Sequence, residues 1–418
     1  MAYALAAAAA VLAIVVRPAL ARAGSRWLDL GLVASVLVVA AGIVPLVPGV
    51  RFALSPATRS IDLSLRIDGP ASVMSDAARP LSIDPEATTT SLVLSVAVLL
   101  LFWCARTMFA RGGVRLSART VAGLGLALAA VGMAQHATAP HLLYWTWATP
   151  HATPFGPFMN HSDFATWLVM ALSLTAGYLI ARLHTRKSRS GVTLGLADAF
   201  DNTAMLLTTA IGFMSAALVV GLSRSGLIAA VAGLLTLWAL SSGRMHGRGR
   251  IWLLGGVLAV VAVAATYANT TALSVRVTET LSRGLGGRSA IWRETLPMVK
   301  DFWLTGVGPG AYQRGMIVYQ QSPRVVYFNH AHNEYAQLLA EGGALLATPA
   351  IVVVAAGVWR IRRRLGADRT PIYWVRAGAA SGLIAIAVQS IWETGLRVPA
   401  NGMLLAVLAA IALHDHEG

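Results

Sequence analysis

Apolar stretches, most of them close to twenty residues long, alternate with shorter polar stretches along the whole chain. A helix needs about twenty apolar residues to cross the hydrocarbon core of a bilayer. Membrane barrels would instead show short segments of alternating polarity, which this sequence lacks. The pattern therefore predicts a polytopic bundle of membrane helices. The predicted spans are residues 2–16, 28–49, 90–109, 120–138, 164–181, 204–222, 225–241, 251–270, 343–359, 372–391 and 400–414.

The sixth and seventh spans form one nearly continuous apolar run, residues 204–241, broken only by SRSG. As a single helix its 38 residues would measure about 57 Å, against a hydrocarbon core of about 30 Å. The run therefore predicts two spans, with Arg224 at the turn between them.

Lysine and arginine are concentrated in every second connection between the predicted spans. The connections rich in them carry 3, 4, 4, 3 and 5 such residues and are 17–27, 106–119, 182–203, 242–250 and 360–371. The short connections that alternate with these carry 0, 1 and 1 and are 139–163, 223–224 and 392–399. Basic loops stay in the cytoplasm, so the first set is predicted to face inwards and the second outwards.

This topology gives the predicted fold class and domain organisation. The fold class is all-α integral membrane: a polytopic helical bundle of about 11 transmembrane helices, or 12, with one large periplasmic loop. Residues 1–270 hold spans 1–8 with a periplasmic loop at about 50–89, residues 271–342 form the large periplasmic loop, and residues 343–418 hold spans 9–11. Alternation in RSIDLSLRID, residues 59–68, predicts a strand or hairpin in the first loop. The second loop is too small to expect a core of its own and is predicted to pack on the bundle.

The start of the chain allows two interpretations. MAYALAAAAAVLAIVV is either an uncleaved first span, with the amino terminus outside, or part of a signal peptide cut after Ala23. Signal peptides carry basic residues before the apolar stretch, whereas Arg17 and Arg22 follow it here, which favours the uncleaved span.

Composition agrees with a membrane protein. Hydrophobic residues make up 56% of the chain and charged residues 12%, against about 25% charged in soluble proteins. The net charge of +15 follows the membrane topology, so it does not indicate nucleic acid. The single cysteine, Cys104, lies inside an apolar run, which excludes an internal disulfide and argues against redox chemistry.

Most of the unusual polar residues fall on the predicted outer face. Ionisable residues at a membrane are costly, and their convergence from several loops is typical of a site built between helices. The candidates are Asn160, His161, Asp163, Arg224, Arg288, Arg293, Glu294, His330, His332, Asn333, Glu334, Glu393, Arg397 and Asn401.

Two arginines suit a phosphate or diphosphate, because a guanidinium offers a fixed fork of donors that stays charged. Arg224 interrupts the long apolar run, and the alternative for it is a headgroup anchor. Arg288 precedes a predicted helix at 289–300, where free N–H groups favour an anion. The alternative for Arg288 and its neighbour Arg293 is pairing with Glu294 or Asp301 on a solvated face.

The stretch NHAHNEY, residues 329–335, carries the most titratable side chains of the large loop. His332 is predicted to act as a general base near neutral pH, with His330 in reserve. The alternatives are a helix start capped by Asn333 and a metal site that would need His161 or Glu334 as a third ligand. The absence of a Cys or Asp/Glu cluster at ligand spacing disfavours the metal, so no metal and no cofactor are expected.

GRSAIWRETLPMVKDFWLTGVGPGAY, residues 287–312, and HAHNEYAQLLAEGG, residues 330–343, resemble the signature region of the bacterial O-antigen ligase and polymerase superfamily. NHSDFATWL, SRSGLIA and WETGLRVPANGMLLAVL match its weaker motifs in the expected order, so the resemblance runs from about residue 155 to 410. One departure is that the ligase pattern has another small or polar residue three positions after a Gly, whereas Gly343 is followed by Ala344, Leu345 and Leu346; this weakens the ligase interpretation specifically.

The resemblance implies a metal-independent glycosyltransferase of the bacterial inner membrane with its active site on the periplasmic side. Such enzymes move a glycan from undecaprenyl diphosphate to an acceptor hydroxyl on another lipid-linked glycan, on lipid A core or on a protein serine. The carried-over catalytic residues are His332, Arg288 and Arg224, in a single inverting displacement. The expected supporting residues are His330, Asn333 and Glu334, of which Asn333 or Glu334 would fix the tautomer of His332. The expected substrate-binding residues are Asn160, His161, Arg293, Tyr312, Glu393 and Arg397.

A transporter or flippase of lipid-linked glycans is the main alternative, because polytopic helices alone suit either function. A transporter should carry charges at mid-membrane depth and interrupted helices in paired halves. The charges here are predicted to lie at one face, which favours chemistry at the membrane surface.

Overall fold

The structure is a computed structural model, and it describes residues 1–18, 25–64, 77–149, 152–190, 201–245, 255–256, 288–322 and 327–414. Helices make up most of these residues. They are α1 (Ala2–Val16), α2 (Arg26–Ala41), α3 (Pro48–Leu54), α4 (Thr58–Ser64), α5 (Pro85–Ala110), α6 (Val114–Thr138), α7 (His161–Ser190), α8 (Asn202–Val220), α9 (Arg224–Ser241), α10 (288–301), α11 (Tyr312–Tyr319), α12 (Glu334–Ala367), α13 (Ile372–Gln389) and α14 (Pro399–Leu413). An antiparallel pair of short strands, β1 (Leu142–Leu143) and β2 (Trp147–Ala148), precedes α7.

Seven helices in the described ranges are long and apolar enough to cross a membrane: α5, α6, α7, α8, α9, α12 and α13. The shorter helices α1 and α14 are also apolar. The all-α, multi-pass membrane character is therefore confirmed. The number of about 11 spans stays a prediction, because all but two residues of the span predicted at 251–270 lie outside the described residues.

The apolar run 204–241 forms two helices, as its length predicted. α8 ends at Val220, and α9 begins at Arg224 with Ser223 as its cap, whose Oγ accepts from the N–H of Gly226 at 3.2 Å. A hydroxyl in this position satisfies one of the N–H groups that a helix start leaves without a partner. Arg224 is thus the first residue of the second helix.

Two predictions about the amino-terminal region are wrong. The span 28–49 stops early, because α2 ends at Ala41 and Leu46 exchanges two backbone hydrogen bonds of 2.9 Å with Arg79. The strand or hairpin predicted at 59–68 is a helix, α4, as far as Ser64, and the rest lies outside the described residues. The apolar alternation was short, and α4 buries Ile61 while leaving Leu63 exposed, which a single helical turn allows.

The chain divides into two compact units. The first comprises residues 1–101, 275–359 and 391–394, and the second comprises residues 102–274, 360–390 and 395–418. The boundaries fall inside α5 and α12, so each of these helices contributes to both units.

The second unit is built around α7, which is almost wholly buried. It packs against α6, α8, α9, α13 and α14. It packs tightly on α13, where a Cβ added at Gly177 would lie 2.6 Å from the Cα of Gly378. The buried hydroxyls of Thr166, Ser173 and Thr175 each donate to the carbonyl four residues earlier, at 2.7–3.0 Å. No water is available inside a bilayer, so this internal pairing is what a membrane-spanning helix requires.

The first unit contains a core formed by both predicted outer loops. Its fully buried members are Ile61, Met298, Phe302, Val307, Ala311, Tyr312, Met316, Ala331 and Ala340. The first of these comes from the loop predicted at 50–89, and all the others come from residues 271–342. The two loops thus share one apolar cluster. In the same unit the buried guanidinium of Arg51 donates to both carboxylate oxygens of Asp62, at 2.6 and 3.2 Å.

A backbone clasp joins the loop after α10 to a break in α12. The break is at Gly343, whose φ of 54° and ψ of −158° are outside the helical range. The N–H groups of Val307 and Gly308 donate to the carbonyls of Ala340 and Glu341, each at 2.9 Å. The N–H groups of Ala344 and Leu345 donate back to Trp303 and Leu304, at 2.8 and 3.0 Å. The loop therefore supplies hydrogen bonds at the point where the kinked helix loses its own.

Candidate active site

Three of the predicted site residues meet in the first unit, around the carboxylate of Glu393. The Nη2 of Arg288, at the start of the described part of α10, donates to Glu393 Oε1 at 2.6 Å. The Nδ1 of His332 lies 3.6 Å from Glu393 Oε2. The Glu393 side chain is 5% exposed, whereas those of Arg288 and His332 are each 37% exposed. A buried carboxylate thus faces a partly exposed guanidinium and a partly exposed imidazole.

The backbone of His332 adopts the left-handed conformation, with φ at 49°. A residue with a side chain pays on the order of 1 kcal/mol for this conformation, which persists only where the surroundings impose it. Among the described residues Nδ1 has no hydrogen-bond partner. The imidazole therefore has its Nδ1 edge close to Glu393 but just beyond hydrogen-bonding distance.

Asn333 and Glu334 lie at the start of α12, which begins at Glu334. The Oδ1 of Asn333 accepts from the N–H of Ala336 at 2.9 Å, so its side chain caps the helix, as one of the sequence alternatives held. Glu334 is the first helical residue, and His330 is exposed at the end of the preceding loop. It is Glu393 that lies next to Nδ1 of His332, so the tautomer-fixing role expected of Asn333 or Glu334 is better suited to Glu393.

The alternative partners of Arg288 are engaged elsewhere. Glu294 accepts from both the N–H and the hydroxyl of Ser322, and Asp301 accepts from the hydroxyl of Tyr319 at 2.5 Å. Burial and this hydrogen bond raise the pKa of Tyr319. The solvated-face pairing considered for Arg288 is therefore wrong. Arg293 is exposed on α10, and its Nε donates to the carbonyl of Ser289 at 3.3 Å.

Tyr312 is a core residue in this structure. Its side chain is 1% exposed, and its hydroxyl shares a hydrogen bond of 2.7 Å with that of Thr295. Burial raises the pKa of Tyr312, so the hydroxyl stays protonated at neutral pH. A ring in this position cannot stack on a sugar from solution, so the expectation that Tyr312 binds substrate is wrong for this conformation.

The remaining predicted residues belong to the second unit. Arg224 is exposed at the start of α9. Asn160 and His161 organise the start of α7: Asn160 Oδ1 accepts from the N–H of Ser162 at 2.9 Å, and His161 Nδ1 lies 2.7 Å from the hydroxyl of Thr153. Arg397 ends a short 3₁₀ turn, Gly395–Arg397. That Arg224 joins Arg288 and His332 in one pocket stays a prediction.

Sequence reasoning treated Glu393 as a substrate-binding residue and overlooked its pairing with Arg288 and His332. Arg288 and Glu393 are 105 positions apart, so no local pattern links them. The available signal was chemical: Glu393 lies between two apolar stretches and needs a cationic partner when buried. The described residues contain no group of three His, Cys, Asp or Glu side chains arranged to hold a metal ion.

One comparison with known proteins finds a family that matches part of the chain. Residues 209–348 match a family model described as O-Antigen ligase, and this range contains Arg224, Arg288 and His332. A search of curated proteins gives no match. Residues 209–348 of the chain are therefore similar to the O-antigen ligase family.

Proposed function

We propose that this membrane protein is a glycosyltransferase that moves a glycan from undecaprenyl diphosphate to an acceptor hydroxyl on the periplasmic face of the inner membrane. The acceptor is another glycan, as in O-antigen or exopolysaccharide polymerisation, or lipid A core. The observation that carries the proposal is that Glu393 lies between Arg288 and His332, at 2.6 and 3.6 Å. The family match supports the reaction class.

His332 is the proposed general base. With a proton on Nδ1 facing the buried carboxylate of Glu393, the Nε2 atom is left with a lone pair for the acceptor hydroxyl. The carboxylate then stabilises the imidazolium that forms, as an acidic residue does beside a catalytic histidine in other enzymes. Burial of Glu393 strengthens this interaction, because little water screens it.

The transfer is proposed as a single displacement. The acceptor oxygen attacks C1 of the donor sugar, its proton passes to His332 Nε2, and the bond from C1 to the diphosphate oxygen breaks with the electron pair going to the leaving group. The configuration at C1 is inverted. The step needs no covalent enzyme intermediate.

Arg288 is proposed to stabilise the negative charge that develops on the departing diphosphate. One guanidinium nitrogen is held by Glu393, and the side chain remains partly exposed, so other N–H groups are available to phosphate oxygens. Arg224 is proposed as the second cation on the diphosphate. Two fixed cations suffice to favour a leaving group that is already good, so we propose that the enzyme is metal-independent.

The test is a transfer assay with His332→Ala in purified, detergent-solubilised protein. The donor is the lipid-linked glycan fraction extracted from cells in which the gene is deleted, and the assay follows glycan moving into polymer or onto lipid A core. Loss of the base should lower the rate by about 10³-fold. His141→Ala, in an exposed loop of the second unit, is the matched control and should retain the rate.

Unchanged transfer in His332→Ala would exclude the assignment of the base. A protein that moves lipid-linked glycan across vesicle membranes, and transfers none in the assay, would be a transporter instead. Addition of a chelator should leave the rate of the unmodified enzyme unchanged, and loss of activity that a divalent metal restores would exclude the metal-independent mechanism.

A further inference from the structure

Two side chains that the proposed mechanism does not use fix the peptide groups on both sides of Ala331. The indole N–H of Trp292 donates to the carbonyl of Ala331 at 2.9 Å. The N–H of Ala331 donates to the side-chain carbonyl of Gln337 at 2.6 Å. Both polar groups of the residue immediately before His332 therefore have side-chain partners. Ala331 is itself fully buried.

Gln337 is in turn held in place. Its side chain is fully buried on α12, one turn after the helix begins, and its Nε2 donates to Glu341 Oε1 at 2.9 Å. Glu341 is buried too, and its backbone carbonyl accepts from Gly308 in the clasp described above. The amide of Gln337 thus has its acceptor directed at Ala331 and its donor directed at a fixed carboxylate, which leaves one orientation for it.

The same contacts connect the two helices that carry the site. Trp292 follows Arg288 by four residues, so both side chains lie on one face of α10. Gln337 belongs to α12, which begins two residues after His332. The Ala331 peptide is therefore held between the helix of the proposed phosphate-binding arginine and the helix that follows the proposed base.

We propose that Trp292, Gln337 and Glu341 form a clamp that positions His332 for catalysis, by fixing the peptide before it and thereby its left-handed backbone. This inference rests on the proposed function, because it assigns a role relative to His332 as the base. The three are positioning residues: Trp292 and Gln337 bond to the backbone of Ala331, and Glu341 bonds to the side chain of Gln337. The consequence is that His332 Nδ1 is held 3.6 Å from Glu393.

The test is the rate of glycan transfer by Gln337→Met, which keeps the volume of the side chain and removes both hydrogen bonds. A displacement of about 1 Å at a catalytic group costs on the order of 10²-fold in rate. We therefore expect kcat to fall by about 10²-fold, with the KM for the extracted lipid-linked donor within about 2-fold. The pH–rate profile should also change, because the base would no longer sit beside Glu393.

Gln320→Met is the matched control. Gln320 is also buried in the first unit, and its Oε1 accepts from a backbone N–H, that of Phe328, at 3.2 Å. The control should lower the melting temperature in detergent by a similar amount while leaving kcat within about 2-fold. Equal losses of kcat in Gln337→Met and Gln320→Met would show that any loss of a buried amide in this unit lowers kcat, and would overturn the proposal.

A rescue experiment removes the ambiguity of a variant that folds poorly. Exchanging the two side chains, as Gln337→Glu with Glu341→Gln, keeps an acceptor for Ala331 N–H and restores a donor–acceptor pair between positions 337 and 341. It should recover kcat to within about 5-fold of the unmodified enzyme. If Gln337→Met cannot be purified, Trp292→Phe tests the other end of the peptide without altering α12.

The results distinguish this inference from the function on which it rests. Normal transfer in His332→Ala would contradict the proposed base. A large loss in His332→Ala, together with unchanged kcat and pH profile in Gln337→Met and in Trp292→Phe, would contradict the clamp alone.

Discussion

The two units of the protein are stabilised in different ways. In the second unit, α7 and α13 approach so closely at Gly177 and Gly378 that no side chain fits between them. In the first unit, the segments around His332 are held by side chains that bond to the backbone of loops, as Trp292 and Gln337 do with Ala331. The first arrangement depends on shape, and the second on hydrogen bonds to particular groups.

The difference indicates where function and stability are separable. A close-packed helix contact resists any added atom, but it contributes no chemical group to a reaction. A loop held by polar contacts can present a base and a cation, and it loses their alignment before it loses its fold. Substitutions beside His332 in the first unit should therefore lower mainly the rate of transfer. Substitutions at the contact of α7 with α13 in the second unit should lower mainly the free energy of unfolding.

Among the substitutions that test this comparison, the largest expected effect is on the rate in Glu393→Gln. The amide keeps an acceptor for Arg288 but loses the charge that stabilises the His332 imidazolium, so the transfer rate should fall on the order of 10²-fold, about 2.7 kcal/mol in the activation free energy. The melting temperature in detergent should change little. A variant with near-normal kcat would show that Glu393 is only a structural partner of Arg288.

The second expected effect is on stability in Gly177→Ala. The added methyl group would lie 2.5 Å from the carbonyl oxygen of Trp374, so α7 and α13 must separate, at a cost of about 2 kcal/mol in the free energy of unfolding. Gly212→Ala on α8 is the matched control, because within the described chain no atom lies within 4 Å of its new Cβ. Equal melting temperatures for the two variants would contradict the close-packing argument.

A smaller loss of rate is expected in Arg288→Lys. Lysine keeps the charge but offers no planar fork, so it cannot bind Glu393 and a diphosphate oxygen from one rigid group. The rate should fall about 10-fold, with weaker binding of undecaprenyl diphosphate measured by competition in the transfer assay. Full activity with lysine would mean that charge alone is required at this position.

The smallest expected effect is on stability in Asn333→Ala. Removal of the cap leaves the N–H of Ala336 without its side-chain acceptor, at a cost of about 1 kcal/mol. Asn333→Asp keeps the acceptor and places a negative charge at the helix start, so its melting temperature should match that of the unmodified protein. A cap role would be refuted if both variants melted alike.

The positions of helices were predictable from sequence where the length of an apolar run and its polar interruption together allowed one arrangement. The run 204–241 had to form two helices because one would be far longer than the membrane is thick. The segment before α5 was not predictable in the same way: its apolar residues are few, and Ile61 is buried by tertiary contacts rather than by a regular pattern. There, Ile61 shares an apolar cluster with Met298 and Phe302, which are more than 200 positions away, so no local pattern could show its burial.

The site residues were predictable as types but not as partners. His332 and Arg288 carry chemistry that few other residues offer, and the resemblance to a known family marked both. Their common contact with Glu393 depends on a fold that brings together residues 105 positions apart. The burial of Tyr312 is of the same kind, because an aromatic residue near a polar motif suits either a core or a sugar-binding surface.

The clasp at Gly343 has a consequence for how the length of the chain can vary. Four backbone hydrogen bonds tie residues 303–308 to residues 340–345 in a fixed register. An inserted or deleted residue between Leu304 and Val307 would put one pair of these bonds out of register with the other. We therefore expect natural variants and engineered forms of the protein to keep the length of this six-residue turn.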